Sequence, residues 1–169
     1  MSHPVLEAIY HRRSVRQFTA EEVSVDDLRE IVRAGIWAPS GLNNQPWRFV
    51  LSRDPHIREQ LAEQTSYRQV VLGASALIAV FLDPEAMYDD LKDHQAAGAC
   101  IQNMLLAAEA LGLGAVWLGQ ILKNQQQVRQ LLELDQQLEL MAVIALGHPA
   151  PGERHSQRKQ LDHFIIKSL

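Results

Sequence analysis

Asp93-His94-Gln95-Ala96-Ala97-Gly98-Ala99-Cys100-Ile101-Gln102-Asn103-Met104-Leu105-Leu106-Ala107-Ala108-Glu109-Ala110-Leu111 is the longest helical pattern in the chain. Small residues such as Gly98 and Cys100 occupy one side, and Met104, Leu105 and Leu106 occupy others. Apolar residues go nearly all round, which marks a helix buried on most of its sides. Gly112 follows where a helix C-cap favours a left-handed residue. Upstream, Ala74 to Leu82 is an almost continuous apolar run of strand length, as in a strand buried on both faces. Downstream, Ala115–Leu118 and Leu140–Leu146 read as further strands, and Trp47–Ser52 as another. Helices are expected at Val5–His11, Val25–Gly35, Pro55–Gln64 and Asn124–Leu132. Ser24 suits the N-cap of the second, with Asp26 and Asp27 in its first turn and Leu28, Ile31 and Val32 facing inward. A short terminal strand is expected at His163–Ile166. Helices and strands alternate loosely, so the class is mixed α and β, α+β, in one domain over residues 1–169.

Composition narrows the function. Apolar residues make up 47% and charged residues 21% of 169, values of an ordinary globular domain. The net charge of −4 argues against a nucleic-acid binder. No run approaches about 18 apolar residues, so no membrane span is expected. The start has no basic segment leading into an apolar one. Cys100 is the single cysteine, which excludes an intrachain disulfide and a cysteine-based zinc site. The expectation is a cytoplasmic protein without nucleic-acid or membrane partners.

Four segments carry chemistry. His11-Arg12-Arg13-Ser14-Val15-Arg16-Gln17-Phe18 sets three arginines and a serine within five positions. Arginine's planar fork matches phosphate oxygens, and serine adds a donor. The alternative is a solvated basic patch. Pro39-Ser40-Gly41-Leu42-Asn43-Asn44-Gln45-Pro46-Trp47 is a turn-rich loop whose glycine permits close backbone approach. Its amides and hydroxyl suit the edge of a heterocycle, or equally satisfy the loop's own backbone. Gly112-Leu113-Gly114-Ala115-Val116-Trp117-Leu118-Gly119 lacks the GxGxxG spacing of a dinucleotide loop, though Gly119 can offer its N–H to a flat ligand. Finally, Gly147-His148-Pro149 is followed by Arg154, Arg158 and Lys159, which can reach a phosphate from the other side. Among seven histidines none has HExxH spacing. His94, with Asp90 and Asp93, is a weak metal candidate, and no metal is expected. No GxSxG elbow exists, and Cys100 has no basic neighbour, so no catalytic nucleophile is expected.

Read together, Arg12–Phe18, Ala38–Trp47, Gln102–Gly114, Leu146–Pro149 and Arg158-Lys159 resemble, in order and spacing, the nitroreductase family of FMN-dependent NAD(P)H oxidoreductases. The resemblance covers nearly the whole chain. It implies a three-layer fold with a central mixed, mostly antiparallel sheet, and an intertwined homodimer with FMN at the interface. By position, Arg12, Arg13, Ser14 and Arg16 would hold the FMN phosphate, ribityl chain and part of the ring, and Arg158 and Lys159 would close on the phosphate. Pro39, Ser40, Gly41 and Asn43 would reach the flavin of the partner subunit. Trp117, Leu118 and Gly119 would lie against the isoalloxazine. Two departures stand out. Leu118 occupies a place where many members carry an acid, so hydrogen bonding there must come from backbone. Only Asp83–Lys92 is available where longer members add a helical excursion, which leaves Tyr67, Arg68 and Tyr88 as weak candidates for the substrate pocket.

The implied activity is hydride transfer from NADH or NADPH, through FMN, to an electron-poor acceptor such as a nitroaromatic or quinone, by a ping-pong mechanism. The flavin carries the chemistry and no protein acid or base is required. Competing readings are a reductive dehalogenase-like relative, a non-enzymatic flavin-binding redox sensor and an RNA-binding module.

Overall fold

The computed structural model describes residues 3–169. Four strands form one sheet in the order β1-β2-β4-β3: β1 Trp47–Ser52, β2 Ala76–Leu82, β3 Gly114–Leu118 and β4 Glu139–Gly147. All three ladders are antiparallel, and an isolated bridge between Ser14 and Ala115 adds a parallel contact. Every residue of β2 is buried, as its continuous apolar run requires. Its alternate residues feed two cores. Ala76, Ile78 and Val80 face a core shared with α2 (Val25–Ile36) and α5 (Asp90–Ala110). Leu77, Ala79 and Phe81 face a core shared with α3 (Pro55–Ala62), α4 (Arg68–Gly73) and α6 (Gln125–Leu131). The result is three layers, helices on each face of the sheet. Between Val80 and Phe81 the register shifts, so that Met141 has no partner on β2, a β-bulge.

Ser24 caps α2 by accepting the Asp27 amide at 2.9 Å. Asp89 caps α5 by accepting the Lys92 amide at 3.0 Å, so the helix starts at Asp90, three residues before the sequence pattern begins. The helix α4 was not expected: Val70 and Val71 are β-branched, yet both are buried under the sheet, where packing outweighs propensity. The terminal strand expected at His163–Ile166 is absent. One helical turn, Leu161–His163, stands there, and no strand edge lies alongside it. From residue 151 to 169 every residue is exposed except half-buried Arg154, including Leu161, Phe164, Ile165 and Ile166.

The first helix, α1 (Pro4–His11), buries none of its residues. With α2 and α5 it borders an apolar groove of about 520 Å³, lined by Pro4, Val5, Ala8, Ala34, Trp37, Asn103, Leu106, Ala107 and Ala110. Ala97 of α5 is fully buried in its own chain. No helix of the described residues is long and apolar enough to cross a membrane.

After α1 the chain runs as an added edge along the sheet. Val15 donates its N–H to Ala115 O at 3.0 Å, Thr19 to His148 O at 2.9 Å, and Ala150 to Gln17 O at 3.0 Å. Two glycines make room. A Cβ on Gly114 would sit 2.6 Å from Val15, and one on Gly147 would sit 2.8 Å from Phe18. This lacing brings residues 12–16 beside residues 149–158.

Candidate functional site

Arg12, Arg13, Ser14, Arg16, Arg154, His155, Ser156 and Arg158 line a cavity of about 310 Å³ with no carboxylate in its wall. Backbone carbonyls orient the guanidinium groups. Arg13 Nη1 donates to Tyr10 O at 2.6 Å and Arg12 O at 3.0 Å, and Arg154 Nη2 to Ala150 O at 2.6 Å. Arg16 Nη1 reaches Ser14 O at 3.4 Å, and Arg158 Nη1 reaches Gln157 O at 3.0 Å and Ser156 Oγ. Among the described residues none of these five arginines pairs with an acid, whereas Arg33, Arg48, Arg53 and Arg68 all do. Arg13 also keeps its Nε buried without a partner. Five like charges facing one space repel one another, and an anion there relieves that repulsion.

The sequence reading placed Arg12, Arg13, Ser14, Arg16 and Arg158 here, and the fold brings them together. Lys159 is exposed and outside the lining. Arg154 was noted only as a basic residue after a strand, and His155 and Ser156 were missed. Their signal is the turn at Pro149–Gly152, which swings the chain back across residues 12–16. A neighbouring cavity of about 290 Å³, lined by His11, Arg13, Val15, Glu109, Gly112, Leu113, Pro149 and Arg154, shares Arg13 and Arg154.

Pro39, Ser40, Gly41 and Asn43 do not line the arginine cavity. Their loop makes a single tight turn, Gly41–Asn43, with Leu42, Asn43 and Gln45 at φ of 54°, 55° and 48°. Left-handed backbone at non-glycine residues costs about 1–3 kcal/mol each and persists only where the surroundings enforce it. Ser40 Oγ accepts the Gln45 amide at 3.1 Å, and Gln45 Nε2 donates to Asn43 O at 3.2 Å. Asn44 Nδ2 donates to Asp93 Oδ1 at 2.7 Å and to Ala86 O at 3.0 Å. Asp93, fully buried, also accepts the amides of Tyr88 and Asp89 at 2.9 Å each. Burial pushes the Asp93 carboxyl up, but the donors, the Asp89 amide first, outweigh it and hold the group below its ordinary value. The Tyr88 ring rests on Gly41, where a Cβ would fall 2.1 Å from its hydroxyl.

Trp117, Leu118 and Gly119 end β3. The Leu118 side chain is in the core and has only backbone to offer. Trp117 is 41% exposed, with its ring edge toward Gly98 of α5, and Gly119 is exposed.

Asp90, His94 and Glu139 place possible ligand atoms within 4.8 Å of one another. Both imidazole nitrogens are engaged, Nδ1 with Asp90 O at 2.5 Å and Nε2 with Glu139 Oε1 at 3.0 Å. Both partners are acceptors, so they favour the protonated ring, which donates from both nitrogens and ties α5 to β4. The Glu139 hydrogen bond leads in raising its pKa above 6.5. Burial alone pushes the Cys100 thiol up to about 12, so it remains protonated and unreactive.

The sequence model of the nitroreductase family matches residues 9–76 and 60–148. The chain belongs to the nitroreductase family. A candidate nitroreductase from Desulfovibrio desulfuricans, crystallised in complex with FMN, is 52% identical, superposes with a TM-score of 0.94, and is matched over 98% of its length and 99% of this chain. A candidate NADH dehydrogenase/NAD(P)H nitroreductase from Archaeoglobus fulgidus is 35% identical over 147 residues, 85% of this chain and 84% of its own. The NADPH:FMN oxidoreductase of Vibrio harveyi, solved with NAD+, shares 26% identity at a TM-score of 0.89 over 99% of this chain and 78% of its own. The family fold of helices packed on an antiparallel sheet is the fold described above.

Proposed function

We propose that this chain is an FMN-dependent oxidoreductase that passes hydride from NADH or NADPH to an electron-poor acceptor, a nitroaromatic or a quinone, as a homodimer. The carboxylate-free cradle of five arginines carries the reading, because an acidic protein has concentrated unpaired charge where a phosphate monoester fits. The FMN complex of the Desulfovibrio relative and the NAD+ complex of the Vibrio relative support it. FMN, when bound, supplies the two-electron chemistry. The rest is the work of this chain. Arg12, Arg13, Ser14, Arg16 and Arg158 grip the phosphate and sugar alcohol chain, Arg154 adds a charge from the same wall, and Lys159 screens it from outside. Pro39, Ser40, Gly41 and Asn43 meet the ring system held by the partner subunit. Trp117 and Gly119 offer an apolar face and a backbone N–H. The reductant and the acceptor then occupy one place in turn, which is a ping-pong scheme.

The homodimer is supported by surface that one chain leaves bare. The groove beside α1 is apolar, and the apolar side chains of residues 161–169 have no core of their own.

The test is an absorption spectrum of the purified, FMN-reconstituted protein. The visible flavin bands should bleach with NADH or NADPH under anaerobic conditions and return with 1,4-benzoquinone. Initial rates at several fixed quinone concentrations should give parallel double-reciprocal lines. No retained flavin overturns the cofactor reading, and intersecting lines overturn the shared site.

A further inference from the structure

Asp93 lies outside the arginine cavity, yet it is fully buried and its carboxylate accepts three hydrogen bonds. Three donors from two parts of the chain converge on its carboxylate: the Asn44 side chain from the loop after α2, and the amides of Tyr88 and Asp89 before α5. Asn44 is a second junction, since its Nδ2 also holds Ala86 O. On one side of this junction lie Leu42, Asn43 and Gln45 in left-handed backbone. On the other, Tyr88 is fixed by its amide so that its ring presses on Gly41. Strained backbone is held by its surroundings, and Asp93 fixes the side chain of Asn44, the residue between Asn43 and Gln45.

We infer that Asp93, acting through Asn44 and Tyr88, is the positioning residue that shapes the Ser40–Gln45 loop to receive the flavin ring, as distinct from the phosphate. The inference rests on the reading that this loop meets the flavin ring. It assigns flavin recognition to two separable devices. The arginine cradle reads the phosphate, and the Asp93–Asn44 pair sets the surface that reads the ring.

Riboflavin carries the ring without the phosphate, so it separates the devices. Asn44→Ala removes one of the three donors to Asp93 and leaves its two backbone bonds. The dissociation constants of FMN and riboflavin should both rise by the same factor, roughly tenfold, the equivalent of one lost charged hydrogen bond. Asp93→Asn leaves one NH2 facing either Asn44 Nδ2 or the Tyr88 and Asp89 amides, donor against donor, and should do the same. The reciprocal pair Asn44→Asp with Asp93→Asn again sets one donor facing one acceptor, though it gives up the bond to Ala86 O, and should recover part of the loss, a coupling that additive damage does not give. Circular dichroism and thermal melting accompany each titration. Unchanged affinity for both ligands, loss confined to FMN, or no recovery in the reciprocal pair overturns the inference. So does an Asn44→Ala protein that no longer folds, because the pair would then be a staple of the fold. If the parent protein binds neither ligand, the reading of the cofactor fails first.

Discussion

Arg154 illustrates what a single side chain adds when its neighbours are supplied by the fold. It is the only half-buried residue in the exposed stretch from 151 to 169, held there by Ala150 O. It borders both the arginine cavity and its neighbour. Arg154→Ala should therefore weaken FMN binding. Hydrogen bonds to charged groups contribute about 1.5–3 kcal/mol, which corresponds to roughly 10- to 150-fold in affinity. Riboflavin affinity should stay within about twofold of the parent. Titration of both ligands decides it: equal losses would mean that Arg154 holds the turn and not the phosphate. In the sequence, Arg154 and Lys159 are alike as basic residues after a strand, and the family resemblance points to Lys159. Only the path of the Pro149–Gly152 turn separates one inside the cavity from one outside it. Asp93 was likewise visible only as an acid next to a histidine, because its partner Asn44 lies 49 positions away.

The element scale has its own switch in the clamp between α5 and β4. His94 donates to Asp90 O and to Glu139, and its pKa in the folded protein lies above 6.5. The proton is bound more tightly folded than unfolded. The stabilisation is thus fully present below the unfolded value and is lost as pH rises through the folded one. His94→Gln should lower the melting temperature more at about pH 5.5 than at about pH 8.5. A deficit of the same size at both would show that the imidazolium contributes no more than its shape. Elements whose burial matches their pattern were legible. The span of β1 was as read, and β2 declared itself because a strand between two helical layers has no polar face to show. The helix α4 was not legible, since Val70 and Val71 carry a β-forming pattern that only burial beneath the sheet overrides. The terminal strand failed for the opposite reason: His163-Phe164-Ile165-Ile166 has strand composition but no edge beside it in its own chain.

At the scale of the whole molecule, the apolar groove beside α1 and the bare segment 161–169 are the surfaces that the proposed second chain would cover. Ala97 of α5 packs inside its own chain, and the exposed reporter is Trp37, 82% accessible at the groove's rim. Trp37→Glu places a charge there without disturbing the buried core. If the partner's loop completes each flavin site, dimer mass in sedimentation and flavin content should fall together. A folded monomer with a full complement of flavin would break the link between assembly and cofactor. Cys100, meanwhile, is sealed between α2 and α5, close enough to Gly35 that a Cβ there would lie 3.2 Å from its Sγ. As the chain's lone thiol it is a native tag for labelling chemistry. A reagent that modifies it must wait for those two helices to part, so the labelling rate times the opening of the protein's interior with no probe introduced.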